Sequence, residues 1–126
     1  MMKLNIWMGA KAVVEVFFGI GFVLVPVSLM SLFGVSLNPG VAVIARLCGA
    51  VFIASSITLW QSRNESPNHK VIRAMVVATI VSNGIGFIAT LLASLSGVWN
   101  VFGWLPVVLN LAFVLAFAYF LFRKTA

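Results

Sequence analysis

Four apolar stretches, each about twenty residues long, are separated by short polar or glycine- and proline-containing breaks. They cover about residues 6–25, 41–60, 74–95 and 101–122. A helix rises 1.5 Å per residue, so ~20 apolar residues cross a hydrocarbon core ~30 Å thick, and each stretch reads as a membrane span. In lipid every backbone polar group must be satisfied within the segment, which leaves helices as the natural solution for runs this long. The predicted fold is all-α: one domain over residues 1–126, an integral membrane four-helix bundle with antiparallel neighbours and short loops.

The breaks sharpen this plan. Trp7 stands at the start of span one, as an interfacial anchor does. Pro26 ends or kinks that span. Residues 26–34 place Leu29, Leu32 and Phe33 on one helical face, either as a short interfacial helix or as a bent continuation. Gly34 is a natural stop, and Asn38-Pro39-Gly40 is a turn signal. Trp60 marks the far end of span two, and residues 61–70 form the one truly polar loop, with Arg63, Glu65, His69 and Lys70. In span three Ala74, Ala78, Ser82 and Gly86 recur every fourth residue. With Ala42, Ala45 and Gly49 of span two they suit close helix approach, within the bundle or against a second copy or another membrane subunit. Trp99 and Trp104 mark the near interface of span four, Tyr119 and Phe122 the far one. Phe113, Phe117 and Phe120 form a stripe facing lipid or the core, or offering a flat aromatic pocket to a quinone or another apolar ligand.

Composition changes the picture mainly through charge. The chain is 63% hydrophobic and 8% charged, with a net charge of +6. In a soluble protein that excess would suggest nucleic acid. Here the cations gather at span ends, so the partner they indicate is the lipid bilayer and not nucleic acid. Lys3, Arg63, Lys70, Arg73, Arg123 and Lys124 fall on one side, whereas the connections 34–40 and 96–100 carry no Lys or Arg. By the positive-inside rule both termini face the cytoplasm. The N-terminus has a signal-peptide look, but Lys11 and Glu15 interrupt the run, which continues through Val25 without a small-x-small site. It reads as a retained helix. One cysteine, Cys48, allows no intrachain disulfide and no cysteine metal set, and a lone His69 makes no metal site. There is no phosphate-binding glycine loop, nucleophile elbow or haem-attachment motif. The sequence therefore assigns no catalytic residue, metal ligand or cofactor.

What remains is a small set of polar groups inside the spans. Glu15, one of two acidic residues, lies roughly 13 Å into span one, near mid-depth. A charge there costs ~2.5–3.5 kcal/mol on insertion scales and needs a partner or a task. Three readings are open. Glu15 pairs with Lys11, one turn earlier on the same face, although Lys11 is also placed to snorkel towards the cytoplasmic interface. Alternatively it pairs with Arg46, which enters span two from the other side, roughly 8 Å deep, and would fix the register of the two spans. In the third reading Glu15 is a functional carboxylate that exchanges a proton or binds a cation. Arg46 also suits a lipid phosphate, or the carbonyls of the 34–40 loop. Asn83 and Asn110, in spans three and four, suit interhelical hydrogen bonds or the lining of a polar cavity with Glu15.

Pro26 with Leu32-Phe33-Gly34, the cluster Ala45-Arg46-Leu47-Cys48-Gly49-Ala50 and Gly103-Trp104 together resemble the small bacterial four-span proteins of the DoxX-like kind. That resemblance covers most of the chain in layout. It implies a four-helix bundle, a place in the bacterial inner membrane as a multi-pass protein, and a position for Arg46 that matters. Three functions follow as expectations. The first is a non-enzymatic accessory subunit or binding module. The second is a small proton- or ion-coupled transporter or channel using Glu15. The third is a quinone- or lipid-handling redox subunit.

Overall fold

The computed structural model describes residues 3–123, so Lys124, counted above among the basic span ends, lies outside the described residues. The architecture is all-α. Five helices follow in order: α1 (Leu4–Leu24), α2 (Pro26–Leu32), α3 (Pro39–Ser62), α4 (Lys70–Leu95) and α5 (Trp104–Phe122), the last preceded by a 3₁₀ turn over Val101–Gly103. Four of them are long and apolar enough to cross a membrane, and residues 26–32 form a short helix separated from α1 by the non-helical Val25.

The helices run past the apolar windows wherever a cap permits. Asn38 accepts a hydrogen bond from the Val41 amide at 2.8 Å, and Pro39 occupies the first turn, where a missing N–H costs nothing. His69, expected to be solvated, is exposed and also caps α4 by accepting from the Val71 amide at 3.3 Å, so α4 begins at Lys70 rather than near residue 74. Hydropathy sees only the lipid-immersed part of a helix; polar end residues such as Lys70 and Arg73 extend it into the interface. Gly34 closes α2 with φ +80°, letting its own amide reach Ser31 O at 3.0 Å and the Val35 amide reach Met30 O at 3.1 Å.

The bundle is built as two tight helix pairs, α1 with α3 and α4 with α5, with sparser contact between them, mainly α1 to α5. Glycines set the closest approaches. A Cβ on Gly49 would lie 2.7 Å from Gly19 O, and one on Gly19 would lie 2.9 Å from Gly49 O, so α1 and α3 touch backbone to backbone there. On the other pair a Cβ on Gly86 would lie 2.7 Å from Asn110 Oδ1. Of the four-residue stripe on α4, only Gly86 makes such an approach; Ala74, Ala78 and Ser82 are exposed. The stripe therefore does not serve the α4–α5 seam as a whole.

At one end Leu4, Met8, Ala12, Leu59, Ile72, Val76, Phe113, Ala116 and Phe117 form a buried cluster. It joins the start of α1, the end of α3, the start of α4 and the end of α5, which places these four ends on the same side. Phe113 and Phe117 are thus core residues, with Phe120 packed against them. Trp7, expected only as an anchor, also meets Phe113 edge to face at 6.3 Å. Outward residues such as Phe17, Leu47, Ile85 and Leu115 are 61–71% exposed, the surface a bilayer would cover.

The Gly19–Gly49 crossing makes the fold sensitive to one methyl group. Gly49→Ala should push α1 from α3 and cost ~1–3 kcal/mol, as overpacking does. Gly84→Ala, whose Cβ meets nothing within 4 Å, should leave stability unchanged or slightly raised. Thermal unfolding of both variants in the same detergent measures the contrast; equal melting temperatures would remove the crossing from the account.

Candidate functional site

Between the two helix pairs lies a cavity of about 270 Å³. The residues that shape it come from matching faces. On α1, Lys11, Glu15, Phe18 and Phe22 follow one another at spacings of four, three and four, which keeps them on one side of the helix. Asn83, Gly86 and Thr90 do the same on α4, and Pro106, Asn110 and Phe113 on α5. Phe52 enters from α3. Ser82 belongs to the wall and is exposed, so the cavity is not sealed from the outer face of α4.

The buried apolar cluster lies beyond Lys11, with Phe113 common to cluster and wall. Towards the α2 segment Met30, Phe33 and Trp99 line the wall, the Phe33 and Trp99 rings 5.3 Å apart. Asn100 ties that end together: its amide donates to Phe33 O and its Nδ2 to Leu32 O, both at 2.9 Å. These bonds join the α4–α5 connection to α2 across the cavity end.

Glu15 pairs with Lys11, whose Nζ donates to Glu15 Oε1. Their side chains are only 5% and 11% exposed. Lys11 therefore does not snorkel. Bringing the opposite charges together inside the bundle neutralises both, and the Lys11 ammonium also stands 5.6 Å from the Phe113 ring centroid. The second carboxylate oxygen, Glu15 Oε2, is buried without a hydrogen-bond partner. Such an orphan acceptor costs ~1–3 kcal/mol, more when charged. The one other buried side-chain atom in that state among the described residues is Ser94 Oγ, a neutral hydroxyl outside the cavity wall.

Arg46 is elsewhere. Its exposed side chain donates from Nε to Val23 O at 3.1 Å. Val23 is eight residues beyond Glu15, about 12 Å along α1. Pro26 breaks the chain there and leaves the last carbonyls of α1 without helical donors, and Arg46 fills one of them. The Glu15–Arg46 pair is thus replaced by two separate arrangements, and the carbonyl capped belongs to α1 rather than to the 34–40 loop. Asn83 and Asn110 do reach the cavity with Glu15, but neither bonds across helices. Asn83 Nδ2 donates to Thr79 O at 2.9 Å, and Asn110 Nδ2 to Pro106 O at 2.8 Å, each within its own helix.

The structure adds residues that attention to charge alone passes over. Phe18, Phe22, Phe52, Met30, Trp99, Ser82, Thr90 and Pro106 all line the cavity. For Phe18 and Phe22 the signal was present, since they continue the Lys11–Glu15 face. Phe52 and Trp99 carry no such signal, because only the packing of α3 and the α4–α5 connection brings them there. Among the described residues no group of three or more His, Cys, Asp or Glu side chains is placed to hold a metal.

Taken together, the fold defines a small helical protein with four candidate membrane spans and a central, largely apolar cavity with a charged pair in its wall. The chain belongs to the family described as "Domain of unknown function (DUF8292)", whose sequence profile matches residues 8–126. No curated protein and no solved structure matches it.

The ion pair itself is open to test. Lys11→Met leaves the Glu15 charge buried and unpaired and should destabilise by ~3–5 kcal/mol, whereas replacing both residues, Lys11→Met with Glu15→Leu, should restore most of that loss. Chemical denaturation in detergent reads both. A single variant as stable as the parent would mean that the pair is not buried in solution.

Proposed function

We propose that the protein is a non-enzymatic membrane binding module that takes a small, mostly apolar molecule into the cavity between its two helix pairs. The observation that carries this reading is a cavity rich in aromatic side chains with one buried carboxylate oxygen left unpartnered in its wall. Small-molecule sites have this make-up: apolar walls, a few polar groups that fix orientation, and volumes of roughly 300–1,000 Å³. This cavity sits at the small end of that range. The exposed Ser82 in its wall gives a side entrance at a level where bilayer-dissolved molecules would arrive. In this reading both termini are cytoplasmic, the location is a bacterial inner membrane, and the cluster around Arg46 serves packing and the capping of α1. The likeness to DoxX-like proteins contributes the four-span layout and no ligand.

Met30 reports on the cavity and Met8 on the core beyond it. Propylbenzene added to the micelle-embedded protein, labelled at its methionine methyl carbons, should shift the Met30 signal saturably and leave Met8 in place. Val14 of α1 also lines the cavity, and Val14→Phe, which adds bulk to the wall, should weaken the response about tenfold or more. If Met30 responds no more than Met8, the binding reading fails.

The same unpartnered oxygen supports a second reading, a small transporter in which Glu15 carries a proton or a monovalent cation between the two sides. Proteoliposomes holding the protein should then show a flux that Glu15→Gln abolishes. Flat traces for protons, cations and anions across pH would remove this alternative.

A further inference from the structure

Capping α1 occupies only the Nε–H of the Arg46 guanidinium. Among the described residues its Nη1 and Nη2 form no hydrogen bond. The bond to Val23 O runs sideways. α1 and α3 touch at Gly19 and Gly49; Val23 lies four residues past Gly19, and Arg46 lies three before Gly49. In antiparallel helices both are thus roughly 5 Å to the same side of that contact. Arg46 is held at the level where α1 ends at Leu24 and α2 turns off at Pro26. No acidic side chain of the protein answers its charge. There are two, Glu15 and Glu65. Glu15 is paired with Lys11. Glu65 follows the opposite end of α3, and the helix from Arg46 to Ser62 alone measures about 24 Å. The neighbours Val43 and Leu47 on α3, and Leu24 and Val27 at the α1–α2 break, are apolar and exposed. A bilayer covers such a surface, and the anions it brings are lipid phosphates.

We infer that Arg46 holds the phosphate of one phospholipid at the α1–α2 break, on the side away from the chain ends, with Nη1 and Nη2 donating to two phosphate oxygens. With Nε committed to Val23 O, the paired N–H groups at the tip of the guanidinium are the part left for a ligand, and they match a phosphate in the forked geometry that an ammonium cannot reproduce. The acyl chains then lie along the exposed apolar residues beside Arg46. The headgroup preferred is one without an ammonium of its own, such as phosphatidylglycerol. In phosphatidylcholine the ammonium competes for the phosphate, and neither carboxylate of the protein is near enough to draw it away. This site is separate from the cavity and does not depend on the cavity's binding a guest.

The test uses the full-length protein in dodecylmaltoside, a detergent with neither charge nor phosphate, with its arginine side chains labelled with ¹⁵N. The Arg46 signal is identified by elimination, through Arg63→Gln, Arg73→Gln and Arg123→Gln, so the site itself stays intact. Added dioleoylphosphatidylglycerol should shift the Arg46 signal saturably, at about a tenfold lower lipid content than the Arg63 signal needs. Arg63, exposed at the other end of α3, reports the general attraction of a protein with net charge +6 for anionic lipid. Dioleoylphosphatidylcholine should need about fivefold more lipid than phosphatidylglycerol to move Arg46. In a second measurement phosphatidylglycerol should raise the melting temperature of Arg46→Lys less than half as much as that of the parent, because lysine keeps the charge and loses the fork. An Arg46 signal that responds no sooner than Arg63 would overturn the site. Equal response to the two lipids would overturn the headgroup preference. Saturation by glycerol 3-phosphate dissolved in the water, with no lipid present, would make it a soluble-phosphate site and overturn the choice of a lipid. An equal gain in melting temperature for Arg46→Lys and the parent would overturn the forked contact.

Discussion

The structure turns on a carboxylate and an ammonium held four residues apart on one apolar helix. Neither can face lipid without a cost of a few kcal/mol, and the two together cost far less when they meet inside the bundle. This requirement orients α1. Once Lys11 and Glu15 point inward, Phe18 and Phe22 on the same face point inward too, and the opposite face, with Phe17 and Val13, is left exposed. The pair is self-contained, so it sets which way the helix looks without fixing which helix it looks at.

The glycines then decide how closely the helices approach. Gly19 against Gly49 brings α1 and α3 into backbone contact, and Gly86 makes room for the Asn110 side chain between α4 and α5. Two rigid pairs result, and the space between them is filled unevenly. Near the chain ends Met8, Leu59, Ile72 and Phe117 interdigitate. Further along, the α4–α5 pair presents glycine, asparagine and threonine to the charged couple and the rings of Phe18, Phe22 and Phe52, and these small residues leave the cavity. The α2 segment, tied by Asn100 through Leu32 and Phe33, borders the far end. A polar wall inside an apolar bundle costs stability, and here that cost is concentrated at one buried carboxylate oxygen.

Much of this was legible in the chain. Four spans of about the right extent, the stop at Gly34 and the inward role of Glu15 all follow from hydropathy, backbone restrictions and the expense of buried charge, whereas Asn38-Pro39-Gly40, expected as a turn, is the capped start of α3. Helix ends were less so. His69 serves as a cap because its ring reaches the Val71 amide, a matter of local geometry that hydropathy cannot register. The partner of Glu15 was also underdetermined: Lys11 and Arg46 both lie within reach along the membrane normal. The choice was made by Pro26, whose break in α1 leaves Val23 O in want of a donor, and by the depth at which α3 crosses α1.

The sequence by itself determined that this chain forms four long apolar helices and that one carboxylate must turn inward, because both results depend on the local energetics of a single helix in an apolar medium. Tertiary structure alone decided that Lys11 rather than Arg46 answers Glu15, and that the asparagines bond to their own helices. It also brought Phe52 and Trp99 to the same cavity as Glu15. Those outcomes depend on which helices pair and how closely, and many sequences with the same hydropathy would pair them differently.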